Sequence, residues 1–216
     1  MVVGAHPDDP ETGCGGTMAR LADERHDVIS AYLTRGEAGI PGTGADEAAR
    51  IRTAEAEAAC SILGARPLFL GQVDGATEVT TERYEDVRRV LASERPDVVL
   101  CHWPVDTHRD HRAAAVLTYD GWLRLGRPFA LYYYEVMSGS QTQVFNPTHF
   151  VDITRTRERK HEACFAHRSQ RIEQTYADDH GRMETFRGME AQVESAEAFV
   201  LHPQSPEAPG LPARTA

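Results

Sequence analysis

The sequence predicts an α/β fold, a Rossmann-like and mostly parallel sheet with helices on both faces, and two observations support this. Strand-like and helix-like segments alternate from residue 2 to about residue 168. The strand-like segments are continuous apolar runs, which are typical of strands that are buried on both faces of a parallel sheet. In such a sheet the ligand crevice lies beyond the carboxyl ends of the strands.

Six segments have the composition of strands. Asp27–Thr34, for example, is rich in β-branched and aromatic residues, which favour strands. In chain order, the predicted strands are Val2–Ala5, Asp27–Thr34, Pro67–Leu70, Asp97–Cys101, Phe129–Val136 and Phe150–Ile153.

Five helices fit between and after these strands. The segment at 46–63 is rich in Ala, Glu and Arg, and Gly64 follows it as a C-terminal cap. In the segment at 82–94, Val87, Val90 and Leu91 recur at helical spacing, and Pro96 ends the pattern. The predicted helices are Cys14–Asp23, Asp46–Leu63, Glu82–Glu94, Asp110–Leu125 and Thr154–Arg168.

The chain length predicts one domain. With 216 residues, the chain is near the size of a single domain, and we assign residues 1–201 to it. Residues 36–45 contain four glycines and a proline, which indicates a mobile surface loop. A terminal helix is predicted to pack through the apolar residues Phe186, Met189, Val193 and Phe199. Residues 202–216 hold four of the twelve prolines, so they are predicted to be a disordered tail.

Composition argues against several classes of protein. The formal charge is 23 − 33 = −10, whereas binding to nucleic acids needs a basic surface. The chain has neither a membrane-length apolar run nor the pattern of a secretory signal. Its four cysteines are widely spaced, which argues against a structural zinc site and indicates reduced thiols. These features predict a cytoplasmic protein that does not bind membranes.

Histidines and carboxylates cluster after two of the predicted strands. The first cluster, HPDDPE, begins at His6, and the second, HWPVDTHRDH, ends at His111. His6 and Asp9 lie on a turn that contains Pro7, so both can face one ion, and the second cluster can supply another imidazole. Two histidines and one carboxylate with an open position form a catalytic zinc arrangement. A remaining carboxylate can then act as a general base, and a remaining imidazole can stabilise an oxyanion.

A nucleotide-binding site is a less favoured alternative. Gly13–Gly16 reads GCGG and resembles a dinucleotide-binding turn, but Met18 stands where the GxGxxG pattern has its last glycine. A nucleotide-binding or non-catalytic Rossmann-like domain would not need the His and Asp clusters.

Seven segments of the chain resemble the LmbE-like, or PIG-L, family of zinc-dependent N-deacetylases. They keep the family's order from Gly4 to about Gln170, and they read AHPDDPE, GCGGTMARL, TRGEAG, RTAEAEAACSILG, GQVDG, HRDHRAA and HRSQ. The resemblance implies a hydrolase that removes the acyl group from an N-acetylglucosaminyl conjugate or a related biosynthetic intermediate. An amidase of a thiol–sugar conjugate and a tailoring deacylase of secondary metabolism are alternatives within the same family.

The resemblance also implies roles for individual residues. It assigns His6, Asp9 and His111 as the metal ligands, with Zn²⁺ as the ion and Fe²⁺ or another divalent ion as the alternative. Asp8 would be the general base, and His108 would stabilise the oxyanion.

Three further residues receive roles from the same motifs. Asp110 would orient His108 and keep it protonated. Arg52 and Asp74 would contact substrate hydroxyls, and the alternative is a surface salt bridge for Arg52 and a turn position for Asp74. The expected partner is a small N-acyl amino sugar, and a homo-oligomer is possible.

Overall fold

A computed structural model describes residues 1–206, 211, 214 and 215, and these residues form a sheet flanked by helices. The strands are β1 (Val2–Gly4), β2 (Val28–Tyr32), β3 (Ala65–Phe69), β4 (Val98–His102), β5 (Ala130–Tyr134), β6 (His149–Asp152), β7 (Ala196–Leu201) and β8 (Arg214–Thr215). The helices are α1 (Asp9–Asp23), α2 (Ala45–Leu63), α3 (Thr81–Glu94), α4 (Arg109–Arg124), α5 (Arg157–Ala166), α6 (Ile172–Thr175) and α7 (His180–Ala191), with a 3-10 turn at Arg168–Gln170.

The sheet confirms the predicted fold class. Its described strands have the order β3-β2-β1-β4-β5-β7-β6-β8, and β1 to β5 are all parallel. Helices α1, α2 and α5 cover one face through residues such as Met18, Leu63 and Ala163. Helices α3 and α4 cover the other face through residues such as Leu91 and Leu117.

The last part of the chain differs from the prediction. Ala196–Leu201 forms β7, which pairs antiparallel with β5 and β6, so Phe199 lies in a strand rather than in a terminal helix. Phe186 and Met189 do lie in α7, but they are 49% and 72% exposed. The helix instead buries a face that contains Glu184 and Arg187, which form ion pairs with Arg157 and Glu135. Ion pairing therefore replaces the apolar packing that the sequence suggested.

The segment predicted as a disordered tail contains ordered residues. The His202 ring packs against the Trp122 ring with 4.6 Å between centroids, and Leu211 is buried in the core. Residues 214 and 215 pair with β6. Apolar burial and main-chain hydrogen bonds stabilise these positions, whereas residues 207–210, 212, 213 and 216 lie outside the described residues.

The helix that follows β1 begins earlier than predicted. Helix α1 starts at Asp9 rather than at Cys14, so the HPDD turn is itself the beginning of the helix. Strand β1 has β2 on one side and β4 on the other. The strand order therefore reverses at β1, because β2 and β3 extend the sheet to one side and β4 and β5 extend it to the other. A crevice is expected there, beyond the carboxyl ends of β1 and β4. Within the described part of the chain, no helix is both long and apolar enough to cross a bilayer.

Candidate metal centre

The three predicted ligands converge in this crevice. His6 follows β1, Asp9 opens α1, and His111 lies in the first turn of α4; all three are buried. His6 Nδ1 lies 3.2 Å from Asp9 Oδ2, and His111 Nε2 lies 3.3 Å from Asp9 Oδ1. Ligand atoms bound at 2.0–2.2 Å to a tetrahedral zinc ion are about 3.3–3.5 Å apart. Each of the two nitrogens therefore lies at zinc-ligand spacing from one oxygen of Asp9, and the donor types suit zinc.

Other donors surround the same space. His108 Nδ1 or Nε2 lies close to donor nitrogens of His6 and His111, and His102 forms a similar group with Asp9 and His111. The ring of His108 meets the His6 ring edge-on with 4.7 Å between centroids. Four imidazoles and a carboxylate thus line one small volume, which is typical of a metal centre.

The charges of the site also suit a cation. Burial opposes ionisation of Asp9, but the charges of His111 and His102 outweigh it and hold the pKa of Asp9 well below its usual range. Burial likewise opposes protonation of His111, yet Asp9 and Asp106 raise the pKa of His111 to about 9. A carboxylate that stays ionised among imidazoles supplies the negative charge that a divalent metal ion needs.

Asp8 lies beside these ligands without joining them. It is the residue that precedes α1, and its carboxylate Oδ2 accepts a hydrogen bond of 3.0 Å from Nη2 of Arg52. Its side chain is one-fifth exposed, so a substrate can reach it. Burial raises the pKa of Asp8, and the Arg52 charge works against that increase. A carboxyl group placed in this way can accept and return a proton.

His108 does not have the partner that the sequence suggested. It is the N-cap of α4, and its Nδ1 accepts the backbone N–H of Asp110 at 3.3 Å. The Asp110 carboxylate points elsewhere, because it accepts hydrogen bonds from the Gly75 N–H at 2.8 Å and the Thr77 hydroxyl at 2.6 Å. Its Oδ2 also lies 3.3 Å from His6 Nε2.

The charge of Asp110 favours protonation of His108, and the role of Asp110 in orienting His108 and keeping it protonated stays a prediction. A fully buried carboxylate needs several donors, and the loop that follows β3 supplies two of them to Asp110. The pKa of His108 is lowered by burial and by the charges of His6 and His111.

Arg52 and Asp74 both lie at the site, where they contact other site residues. Arg52 is buried, so its ion pair with Asp8 is not a surface one, and it also donates to the carbonyl of Pro7. Asp74 Oδ1 lies 3.1 Å from His6 Nε2, and Asp74 Oδ2 accepts the N–H of Ala38. The assignment of both as substrate contacts stays a prediction.

Sequence reasoning missed two residues that contact the ligands directly. Asp106 Oδ2 lies 3.3 Å from His111 Nδ1, and its Oδ1 accepts the N–H of His108 at 2.7 Å. Gln141 Nε2 lies 3.2 Å from the same His111 nitrogen. Asp106 belongs to the HWPVDTHRDH cluster, so its position in that motif was a usable signal, whereas Gln141 comes from a loop without a motif.

His102, the first residue of the HWPVDTHRDH cluster, both lines the site and packs against its residues. Its ring stacks on the His111 ring with 3.9 Å between centroids, and its side chain is 1% exposed. Its Nε2 accepts the N–H of Ala5 at 3.0 Å and lies 3.3 Å from Asp9 Oδ2.

Known proteins share this fold and these motifs. The model of one family, described as PIG-L: GlcNAc-PI de-N-acetylase, matches residues 1–121. The chain is 30% identical to a diacetylchitobiose deacetylase of Thermococcus kodakarensis over 79% of this chain and 69% of that enzyme. It is 34% identical to a 1D-myo-inositol 2-acetamido-2-deoxy-alpha-D-glucopyranoside deacetylase of Rhodococcus erythropolis over 56% of this chain and 45% of that enzyme.

A solved structure is similar over nearly the whole chain. The N,N'-diacetylchitobiose deacetylase of Pyrococcus horikoshii superposes with a TM-score of 0.82 and 26% identity, covering 95% of this chain and 86% of that one. The similarity therefore includes the antiparallel end of the sheet as well as the motif-bearing half.

Proposed function

Since this chain belongs to the PIG-L family of GlcNAc-PI de-N-acetylases, we propose that it is a zinc-dependent hydrolase that removes an N-acyl group from an N-acetylglucosaminyl conjugate. The observation that carries the proposal is the placement of His6 and His111 at ligand spacing from the carboxylate of Asp9, which Asp8 directly precedes in the chain. The names of the similar enzymes, which act on acetylated glucosamine compounds, support the substrate class.

The proposed reaction assigns one task to each residue. His6, Asp9 and His111 would hold the ion, which supplies Lewis-acid chemistry and activates water when it is bound. Asp8 takes a proton from the attacking water, whose oxygen forms a bond to the acyl carbon. The imidazole of His108 faces the same space and stabilises the oxyanion that develops. Asp8 then returns its proton to the departing amine nitrogen as the C–N bond breaks, which yields a carboxylic acid and a free amine.

The donor set favours zinc but also suits Fe²⁺, because two imidazoles and a carboxylate bind both ions. We propose zinc as the resident ion. We also place the enzyme in the cytoplasm, since its four cysteines are buried free thiols, which fit a reducing compartment.

The proposal is tested by measuring amine release from a panel of N-acetylglucosaminyl compounds that includes diacetylchitobiose and N-acetylglucosaminyl inositol. Zinc-loaded, Fe²⁺-loaded and chelator-stripped protein are compared with Asp8→Ala. We expect metal-dependent release, and a loss of about 100-fold or more in kcat for Asp8→Ala with one zinc still bound. Asp178→Ala, which removes an exposed carboxylate paired with Arg182, is the matched control and should keep full activity.

Each result has a separate meaning. Full activity of Asp8→Ala would remove Asp8 from its role as the base. Absence of release from every sugar, with zinc bound, would contradict the proposed substrate class and direct the assay to thiol–sugar conjugates and other amides.

A further inference from the structure

Asp8 has a strained backbone. Its φ angle is 106°, in the region that residues other than glycine rarely adopt. Strain of this kind persists only where the surrounding structure enforces it, and it is concentrated at functional sites. The hydrogen bonds around Asp8 show what enforces it: its carbonyl accepts the N–H of Thr12 at 2.9 Å, and its N–H donates to Glu11 Oε2 at 3.1 Å.

Glu11, which accepts the N–H of Asp8, is itself held by other buried side chains. It is fully buried, and its Oε1 accepts a hydrogen bond of 2.5 Å from the Tyr32 hydroxyl and one of 3.3 Å from Ser30. His167 Nε2, also fully buried, lies 3.4 Å from Glu11 Oε2. Burial opposes protonation of His167, but the neighbouring Glu11 raises the pKa of His167. None of these contacts is used by the mechanism above.

The HRSQ segment explains how His167 reaches Glu11. Directly after His167, the Ser169 N–H and hydroxyl both donate to the carboxylate of Glu55 in α2 at 2.7 Å. Next to it, Gln170 Nε2 donates to the Gly39 carbonyl at 3.1 Å. These bonds fix the end of α5 against α2, and they hold the His167 ring at the beginning of α1.

We propose that Glu11 is a positioning residue: with Tyr32 and His167, it holds the backbone of Asp8 at its positive φ and so aims the Asp8 carboxylate at the attacking water. The inference rests on the proposed function insofar as Asp8 is taken as the base. Displacement of a catalytic group by about 1 Å can lower the rate about 100-fold, so a loss of this hydrogen bond acts on the chemical step.

The test uses the zinc-loaded protein and two variants. Glu11→Gln keeps the shape of the side chain but cannot accept hydrogen bonds from both Asp8 and Tyr32, and Tyr32→Phe removes only the hydroxyl. We expect kcat on diacetylchitobiose to fall about 10- to 100-fold in Glu11→Gln and about three- to tenfold in Tyr32→Phe. KM and zinc content should stay within about twofold of the wild type.

Tyr176→Phe is the matched control. Tyr176 is also buried, and its hydroxyl also donates to a buried carboxylate, Oε2 of Glu184, but this pair has no contact with Asp8. We expect its kcat to equal that of the wild type. An equal fall of kcat in Tyr176→Phe and Tyr32→Phe would show a general loss of stability and overturn the proposal.

A second measurement does not depend on activity. The amide proton of Asp8, bound to a carboxylate, should resonate downfield in the NMR spectrum and shift upfield in both Glu11→Gln and Tyr32→Phe, with no change in Tyr176→Phe. An unchanged Asp8 resonance in Tyr32→Phe overturns the inference even if Glu11→Gln fails to fold. If the wild-type protein deacetylates none of the sugars, the proposed function fails, and the NMR result still decides whether Glu11 holds Asp8.

Discussion

Three aspartates at the site differ only in what surrounds them. Asp9 faces imidazoles, Asp8 faces the guanidinium of Arg52, and Asp110 faces a backbone N–H, a hydroxyl and His6. The same side chain can therefore bind a metal, transfer a proton or orient a ligand. For His6, hydrogen bonding of Nε2 to carboxylates leaves Nδ1, the nitrogen next to Asp9, free to bind a metal ion.

Replacement of Asp110 separates the two roles that have been considered for it. In Asp110→Asn, His6 Nε2 loses a charged acceptor, so we expect zinc affinity to fall about 10- to 100-fold, as measured by competition with a chelating dye. Asp178→Asn, on the surface, should bind zinc as the wild type does. If Asp110→Asn instead keeps its zinc affinity but has a low kcat, the result would support the predicted role of Asp110 in orienting His108 and keeping it protonated.

At the scale of elements, the glycine-containing loop between β2 and α2 is held at several points. Gln170 donates to the Gly39 carbonyl, and Asp74 accepts the N–H of Ala38. Arg52 packs so closely that a Cβ at position 36 or 39 would lie 2.6 or 2.2 Å from its guanidinium. The loop that the sequence predicted as mobile is thus joined to the residues around Asp8 and His6.

Removal of one of these contacts should affect substrate binding more than stability. We expect Gln170→Ala to increase hydrogen exchange in residues 36–44 and to raise KM about three- to tenfold, because the loop next to the site becomes less ordered. The control is Gln174→Ala, which changes an exposed glutamine in α6. Equal KM values for both variants and the wild type would show that the loop does not contribute to binding.

At the scale of the whole molecule, a buried charged network joins the antiparallel end of the sheet to the parallel part. Lys160 Nζ of α5 lies 2.8 Å from Glu197 Oε1 of β7 and 3.7 Å from Glu184 Oε2 of α7. Glu197 also accepts the N–H groups of Gly16 and Thr17 in α1. The ion pairs and hydrogen bonds of Lys160 and Glu197 therefore connect four elements, α1, α5, α7 and β7.

Acid should weaken this network. Burial opposes ionisation of Glu184, but the hydrogen bond from His161, the charge of Lys160 and the hydrogen bond from Arg157 lower the pKa of Glu184 from 4.5 to about 2. A carboxyl whose folded pKa is depressed stabilises the fold above its unfolded pKa, and this contribution is lost as the pH falls from about 4.5 towards about 2. We expect Glu184→Gln to lower the free energy of unfolding at pH 7 by about 3 kcal/mol.

The free energy of unfolding of Glu184→Gln should also depend less on pH than that of the wild type. This difference is expected between about pH 4.5 and the lowest pH at which the protein still folds. Urea unfolding from pH 7 to pH 3 measures both effects, with the exposed Glu173→Gln as the control. Parallel stability profiles of Glu184→Gln and the wild type would contradict the role given to Glu184.

The sequence by itself determined the parallel half of the fold and the membership of the site. Continuous apolar strands such as DVVLC that alternate with helices are typical of a parallel sheet covered on both faces, and the carboxyl ends of such strands meet at one edge. His6, Asp9 and an imidazole of the second cluster could therefore be grouped before any distance was known, and the family resemblance implied that this imidazole is His111. The structure brings these three side chains together. The family resemblance, now confirmed, supplied the proposed chemistry and the roles that stay predictions.

Only the tertiary structure decided which groups contact each other around these residues. Asp110 turns to Gly75 and Thr77, and His167 reaches Glu11 from a segment more than 150 residues away along the chain. The direction of β7 is another such case, because its partners β5 and β6 are distant in sequence. Local patterns report burial and periodicity, whereas the choice of a buried polar partner depends on which donors the whole fold brings within about 3 Å.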